Sequence, residues 1–427
     1  MPLVARNRTR IAVCRGRIRT GTHGRLGRMR RTPWRVAGLL AGAGLLAACG
    51  TGAADTPTWV PQPTISLEAS PHESQPSQPG ASPGPSGGSP VPIPTSPNSP
   101  NGSSGGGPGS GVVATDLDAP TGLVVLPDGS ALVGERTTGR IVRVQPTPGQ
   151  PVPTVRTLTG LSTTGDGGLL DLALSPTYAE DGLIYAYITT ATDNRVVDFT
   201  VTGLPADVLT GIPRGVTGNT GRLLFDQQGH LYVGTGDAGT PRLAADPNSL
   251  AGKVLRVDGI GHPVPGNLKP GSPVYTRGHH TVNGLCASPT LGTVYETEAP
   301  SEVNVLSGGA DYGWPTARTG TRRPASTMPA NRAGAGGCAV EADTIFVATS
   351  DGQALLGATL APHAQVGKFS VLPLDKSYGR LRTVVAAPDG ALWITTTNKD
   401  GHGHPIPDDE RVIRIVQVPV PGGSLPL

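Results

Sequence analysis

A six-bladed β-propeller over residues 112–418, and therefore an all-β protein, is the fold that the sequence predicts. One phrase recurs six times in this region: an apolar run, a tight polar turn, and a second apolar run with aromatic or β-branched residues. The turns are 53, 47, 63, 51 and 47 residues apart, counted at Gly129, Gly182, Gly229, Gly292, Asp343 and Gly390. Intervals of about 50 residues are typical of one four-stranded propeller blade.

Each turn predicts a β-hairpin, because Asp and Gly tolerate the positive φ that tight hairpin turns require. A further run of alternating apolar and charged residues, typical of a half-exposed outer strand, begins at Arg140, Arg195, Lys253 and Arg411. No helical periodicity is sustained after residue 110, and 62 Gly and 44 Pro disfavour long helices. We expect a strand near Val112 and Val113 to pair with the last blade and close the ring.

The N-terminus predicts export. Residues 1–48 contain eleven arginines and no acidic residue, and an apolar run from Val36 ends in Leu-Ala-Ala before Cys49. This order is typical of a secretory signal with a lipobox, in which Cys49 becomes the acylated first residue. The run is shorter than the roughly 20 residues of a spanning helix. A membrane-anchored helix with an incidental cysteine is the alternative. Met29 is an alternative start, and the arginine pair after it is a weak indication of twin-arginine export.

Composition separates two further regions. Residues 49–111 are Pro, Gly and Ser with few large apolar side chains, which predicts a disordered tether. Residues 419–427 form a C-terminal tail. Without the signal, 23 basic residues face 31 acidic ones, so the net charge changes from +3 to about −8. That balance argues against nucleic acid as a partner. We expect a protein anchored by lipid to the outer face of the cytoplasmic membrane, with an envelope glycan or protein as partner.

Two cysteines remain after Cys14 and Cys49. Cys286 and Cys338 each lie in the first strand of their repeat, in copies four and five. Equivalent strands of adjacent blades lie side by side near the propeller axis, so the two sulfurs are expected to meet. In an oxidising compartment a disulfide is favoured over two buried thiols.

Several segments then carry a family resemblance. They are Asn-Thr-Gly-Arg-Leu at 219–223, Leu-Tyr-Val-Gly-Thr-Gly-Asp at 231–237, and the runs at 249–257, 311–315, 398–401 and 408–414. As a set, and in this order, they resemble the soluble quinoprotein glucose and aldose sugar dehydrogenases. Segments at 165–170, 174–178, 192–195 and 244–249 resemble a mycobacterial lipoprotein of that family. The resemblance implies a six-bladed propeller that oxidises sugars with pyrroloquinoline quinone (PQQ) and calcium.

The resemblance also implies site residues, and several are replaced in this chain. The general-base histidine of the family corresponds to Gly218, which cannot accept a proton. The Arg-Asn pair that lies against the quinone corresponds to His280 and Thr281. A cofactor-binding lysine corresponds to Asp351. The Glu-His-Gly-Pro stretch that holds calcium through its carbonyls is reduced to Glu-Ala-Pro at 298–300.

Two family arginines are retained. Arg380 and Arg382 match those that face the carboxylates of the quinone, and their spacing places both on one side of a strand. The guanidinium fork suits carboxylate or phosphate, so both are candidates for an anion site. The alternative is pairing with nearby acidic residues. Asp166, Asn219 and Asp237 are further ligand candidates at blade edges, with hydrogen-bonded turns as the alternative.

The histidines offer no metal site that spacing alone can recognise. His279 and His280 are adjacent, and His402 and His404 lie two apart in a glycine loop, without a third ligand at a recognisable spacing. A solvated or structural role is favoured for all four. The replaced residues favour a non-catalytic binding propeller for a glycan, a small anion or a protein, with no cofactor expected. A PQQ- and calcium-dependent aldose dehydrogenase with a rearranged active site is the alternative.

Overall fold

The computed structural model describes residues 111–374 and 376–416, which form a six-bladed β-propeller. The predicted fold class is therefore confirmed. The predicted signal, Cys49, the tether and the tail at 419–427 lie outside the described residues. Within the described residues no helix is long and apolar enough to cross a membrane.

The blades follow one another along the chain, after an N-terminal strand β1 (Val112–Ala114). Blade one contains β2 (Pro120–Val125), β3 (Ala131–Glu135), β4 (Arg140–Val144) and β5 (Thr154–Thr157). Blade two contains β6 (Leu169–Leu174), the short helix α1 (Tyr178–Asp181), β7 (Ile184–Thr189), β8 (Asn194–Phe199) and β9 (Ala206–Ile212). Blade three contains β10 (Gly221–Phe225), β11 (Leu231–Thr235), the short helix α2 (Arg242–Ala245), β12 (Lys253–Val257) and β13 (Val274–Arg277).

The second half of the ring repeats this order. Blade four contains β14 (Val282–Ser288), β15 (Thr293–Glu298), β16 (Glu302–Val305) and β17 (Ser326–Thr327), and a 3₁₀ turn (Ala330–Arg332) follows it. Blade five contains β18 (Ala335–Glu341), β19 (Thr344–Thr349), β20 (Ala354–Ala361), β21 (Gln365–Val366) and β22 (Ser370–Val371). Blade six contains β23 (Leu381–Ala386), β24 (Leu392–Thr396) and β25 (Val412–Ile415).

The ring closes as the sequence predicts. Strand β1 pairs antiparallel with β25, with Val112 opposite Ile413. The innermost strands contact their neighbours around the axis, and β23 contacts β2. Val113, Leu123 and the fully buried Trp393 share one apolar cluster across this junction. Complete burial of one such side chain contributes about 1.5–3 kcal/mol, so the junction is held by packing as well as by the strand pair.

One predicted half-exposed strand differs. Lys253, at the start of β12, is completely buried. Its ammonium donates hydrogen bonds to the carbonyl oxygens of Leu243, Ala244 and Ala251 at 2.7, 2.9 and 2.7 Å. These carbonyls belong to α2 and to the loop after it, and a buried polar group is tolerated when its hydrogen bonds are made. Lys253 therefore joins the α2 loop to blade three instead of facing solvent.

The predicted cystine is present. Cys286 on β14 and Cys338 on β18 form a disulfide with a Cα–Cα distance of 5.7 Å, within the 7 Å limit expected for a bridge. It links blades four and five across 52 residues. Both cysteines belong to the apolar cluster that also contains Tyr295 and Val347.

Replacing both cysteines by serine should lower the free energy of unfolding by about 4 kcal/mol, because the cross-link restricts the unfolded chain. Urea denaturation followed by tryptophan fluorescence measures this. Reduced wild-type protein is the control and should unfold at the same urea concentration as the double variant. Equal midpoints for the oxidised protein and the double variant would contradict a stabilising role.

Candidate functional site

The candidate site lies at one end of the central channel. The upper face is the end of the channel where the innermost strands begin, namely β2, β6, β10, β14, β18 and β23. A cavity of about 490 Å³, here the upper pocket, opens there. Its lining residues include Arg222, Asn283, Ser350, Asp351, Arg380, Arg382, Asp400 and His402. A second cavity of about 420 Å³ lies toward the other end and is lined mainly by aliphatic residues.

The two retained arginines differ in what they contact. Arg380, just before β23, is almost fully buried. Its Nη1 donates to Asp351 Oδ1 at 2.7 Å, and its Nε donates to Asp400 Oδ2 at 3.0 Å. Arg380 is therefore paired with nearby acidic residues, which was the alternative to an anion site. Asp351, which the resemblance places at the position of a family lysine, is one of its two partners.

Arg382 faces the upper pocket with much of its hydrogen-bonding capacity unused. Its Nε is buried and has no hydrogen-bond partner among the described residues. Burial, together with the nearby guanidinium groups of Arg222 and Arg136, lowers the pKa of Arg382 to about 10. Asp171 and Asp400 oppose this shift, but a desolvated guanidinium beside two others is further stabilised when an anion joins them. Arg382 is therefore the described residue that points most directly to an anionic ligand.

Arg222 forms the floor between the two cavities and lines both. Its Nε donates to the carbonyl oxygen of Asn283 at 2.6 Å, and its Nη1 lies 3.4 Å from Asp171 Oδ1. Burial raises the pKa of Asp171 to about 6, and Arg222 opposes that rise. Sequence analysis did not select Arg222, although it lies in the Asn-Thr-Gly-Arg-Leu motif at 219–223.

The loop before β10 has no room for the missing histidine. Gly218 has a φ of +74°, a conformation that side-chain-bearing residues rarely adopt. A Cβ added there would lie 2.6 Å from the Gly239 nitrogen and 2.8 Å from Asp237 Oδ1. The backbone at this point thus suits glycine, and a histidine side chain would require the loop to move.

Asp166 and Asn219 hold this loop together. Asp166 Oδ2 accepts a hydrogen bond from the Gly218 amide at 2.7 Å, and Asp166 Oδ1 accepts one from Asn219 Nδ2 at 2.5 Å. Asn219 Oδ1 in turn accepts hydrogen bonds from Gly215 N and from Asn194 Nδ2. These contacts match the alternative of turn-stabilising roles for both residues.

Asp237 instead organises an aromatic pair. It is buried, and its Oδ2 accepts a hydrogen bond from Trp314 Nε1 at 3.0 Å. The same oxygen lies 4.0 Å from His280 Nε2. The His280 ring stacks on Trp314 with centroids 4.2 Å apart, and 42% of its side chain is exposed. A carboxylate, an imidazole and an indole thus form one partly open surface, here the His280 platform.

The remaining predicted residues lie nearby in different surroundings. Thr281 has a buried hydroxyl without a partner among the described residues, and Gly236 bridges to its backbone. His279 is fully buried. His402 lines the upper pocket and His404 is exposed. The sequence analysis included Trp314 only as part of the run at 311–315. Its contact with Asp237 could not be predicted from the sequence, because 77 residues separate the two.

The fold and this site can be compared with known proteins. The family model described as glucose/sorbosone dehydrogenase matches residues 117–336, slightly more than half of the chain. The chain belongs to the glucose/sorbosone dehydrogenase family. This confirms the family resemblance deduced from the motifs.

Individual members of the family show how far the similarity extends. The solved PQQ-bound aldose sugar dehydrogenase of Streptomyces coelicolor is 37% identical, with a TM-score of 0.67, over 71% of this chain and 95% of that one. An oxidoreductase of Thermus thermophilus described as a glucose dehydrogenase is 34% identical, with a TM-score of 0.65, over 71% and 98%.

Two curated relatives match over a shorter length. Quinoprotein glucose dehydrogenase B of Acinetobacter calcoaceticus is 27% identical over 252 residues, which are 48% of this chain and 52% of that relative. The aldose sugar dehydrogenase YliI of Escherichia coli is 26% identical over 243 residues, which are 51% and 64%. The chain thus spans between half and two thirds of the length of these relatives.

The upper pocket fits one part of the family's cofactor. A quinone that carries carboxylates needs cations, and the unpartnered Nε of Arg382 beside Arg222 provides them. The segment 298–300, which corresponds by resemblance to the family's calcium-binding stretch, fits calcium less well. The Pro300 carbonyl already accepts hydrogen bonds from the amides of Gly334 and Ala335, at 2.8 and 3.2 Å.

Proposed function

We propose that this chain is a PQQ-dependent aldose dehydrogenase with a rearranged active site at the upper face. The observation that carries the proposal is the buried, unpartnered Nε of Arg382 in the upper pocket of a propeller from this family. The 37% sequence identity to a PQQ-bound aldose sugar dehydrogenase, over 95% of that protein's length, supports the proposal. Because this chain is similar to enzymes, we place this function above the non-catalytic interpretation that the replaced residues favoured.

The roles of the residues follow from their contacts. Arg382, with Arg222 below it, would hold a carboxylate of the quinone. His280 occupies the position where the family places an arginine against the quinone. Its ring can take the proton of the sugar hydroxyl that Gly218 cannot, because stacking on Trp314 orients the ring and much of it is exposed. The bound quinone supplies the hydride acceptor. Trp314 and the imidazole present flat faces on which a sugar ring can stack.

The test is reconstitution. Purified protein is loaded with PQQ and calcium, and dye reduction is followed across a panel of aldoses, with unloaded protein as the control. We expect reduction that requires both quinone and sugar. Saturable quinone binding without reduction by any aldose would contradict the dehydrogenase and favour the second candidate.

The second candidate is a non-catalytic binding propeller for a glycan, a small anion or a protein in the cell envelope. Two specific observations favour it. The Gly218 backbone leaves no room for the family's histidine base. Asp351 forms an ion pair with Arg380 at the edge of the pocket, so a negative charge already occupies that position. Neither PQQ nor calcium would then be required. Nucleic acid is not proposed as a partner, because the mature chain is acidic.

We also propose that the propeller is exported and held at the membrane by lipid on Cys49. The lipobox, the arginine-rich leader and the resemblance to a mycobacterial lipoprotein support this address. Labelling with a radioactive fatty acid should mark the wild-type chain and not Cys49→Ala. Equal labelling of both would overturn it.

A further inference from the structure

Behind the His280 platform, three buried side chains converge in blade four. Glu296 and Glu298 lie two residues apart on β15, so both point to the same side of the strand. The loop before β14 brings His279 against them. His279 Nδ1 lies 3.2 Å from Glu298 Oε2 and 3.9 Å from Glu296 Oε2. All three residues are buried, and one potential ligand atom from each lies within 4.8 Å of the others.

The geometry points to a divalent transition-metal site, and we propose that His279, Glu296 and Glu298 bind Zn²⁺. One imidazole nitrogen and two carboxylates are ligands that zinc accepts, at about 2.0–2.2 Å. Tetrahedral ligands at such lengths are separated from each other by about 3.3 Å. The 3.2 Å separation, which is also a hydrogen-bond distance, matches that value. The 3.9 Å separation and the 4.8 Å limit on the whole set mean that the Glu296 carboxylate must move closer when the metal binds.

Unpartnered oxygen atoms indicate that a ligand is missing from this cluster. Glu296 Oε1 is buried without a hydrogen-bond partner among the described residues, and Asn304 Oδ1 is too. Asn304 lies opposite Glu296 on β16, and its Nδ2 donates to Glu296 Oε2 at 2.9 Å. Two buried carboxylates in contact require a cation or a shared proton between them.

The surroundings of His279 also suit a metal ligand. Its Nε2 lies 2.9 Å from Thr276 Oγ1, so that hydroxyl can hold the tautomer in which Nδ1 binds a metal in place of its present contact with Glu298. The ring stacks on Tyr312, with centroids 4.7 Å apart. Glu298 also accepts a hydrogen bond from the backbone amide of His280. Metal binding would therefore fix the loop that carries the His280 platform.

The test uses the full chain, stripped with a chelator and dialysed against ZnCl₂. Elemental analysis should find one zinc per chain, and zinc should raise the melting temperature. Burial and the neighbouring Glu298 raise the pKa of Glu296 well above its usual range, so Glu296→Gln resembles the protonated, metal-free side chain and should still fold. That variant should lose its zinc-dependent melting shift. Its zinc affinity should fall at least about 10- to 100-fold, since that is the cost of losing an outer-shell partner and Glu296 is a direct ligand.

Glu135→Gln is the matched control, because Glu135 is also fully buried but pairs with Arg140 in blade one. It should keep wild-type zinc affinity. Cobalt binding provides a second readout: visible absorption of tetrahedral Co²⁺ is expected in the wild type and not in Glu296→Gln. Absence of stoichiometric zinc would overturn the site and indicate a shared proton. Equal zinc binding by Glu296→Gln and the wild type would contradict this site and indicate that zinc binds to exposed histidines instead.

Discussion

Replacing His280 by asparagine should lower kcat for aldose oxidation about 10²- to 10⁴-fold in protein loaded with PQQ and calcium, the typical contribution of a general base. Asparagine keeps the approximate size of the imidazole but cannot accept a proton at neutral pH. The quinone affinity should change little, because the proposed cation contacts come from Arg382 and Arg222. Steady-state dye reduction gives kcat, and quenching of tryptophan fluorescence gives quinone affinity.

His404→Asn is the control, because His404 is exposed in the glycine loop after β24. It should retain wild-type kcat. Unchanged turnover in His280→Asn would remove His280 from the reaction. A parallel loss of quinone binding would instead indicate that His280 contacts the cofactor.

Restoring the family's histidine by Gly218→His should not raise turnover. The new Cβ would lie 2.6 Å from Gly239 N, on a backbone with a φ of +74°. Residual strain of this kind costs on the order of 1–3 kcal/mol, so the variant should unfold at lower urea concentration than the wild type. Increased turnover in this variant would show that the loop can readopt the family's arrangement.

Arg382→Met should weaken PQQ binding by roughly 30-fold to several thousand-fold, because removing one partner of a buried charge pair typically costs 2–5 kcal/mol. The free protein should be little destabilised, since Arg382 Nε has no partner among the described residues and burial already lowers its pKa to about 10. Isothermal titration with PQQ measures the affinity. Wild-type affinity in Arg382→Met would place the quinone elsewhere.

Two further variants distinguish the contribution of Arg380 to anion binding from that of Arg382. Arg380→Met should have the smaller effect on quinone affinity, because Arg380 is already paired with Asp351 and Asp400. Asp351→Asn should tighten binding of any anion, since it removes a negative charge from the pocket and frees one Arg380 nitrogen. Weaker anion binding in Asp351→Asn would show that Asp351 orients Arg380 toward the ligand.

The sequence by itself determined the architecture of the propeller. A strand needs only period-two alternation, and a hairpin needs only a residue that tolerates positive φ at the turn. Both are properties of a few consecutive residues, so six copies could be counted without knowing their contacts. Pairing of the strand near Val112 with the last blade, and the Cys286–Cys338 bridge, followed from the repeat. Equivalent positions in adjacent blades are neighbours in space.

The tertiary structure decided which side chains are available for chemistry. Arg380 and Arg382 look alike on a strand, but Asp351 and Asp400, 29 and 20 residues from Arg380, engage only the first. Lys253 is buried because α2 and its loop supply carbonyls. Glu296 Oε1 is buried without a hydrogen-bond partner among the described residues, beside His279 and Glu298. These outcomes depend on charges and hydrogen-bond partners from distant segments. Local patterns do not encode such contacts, because their free energy depends on burial and on distances that the fold alone sets.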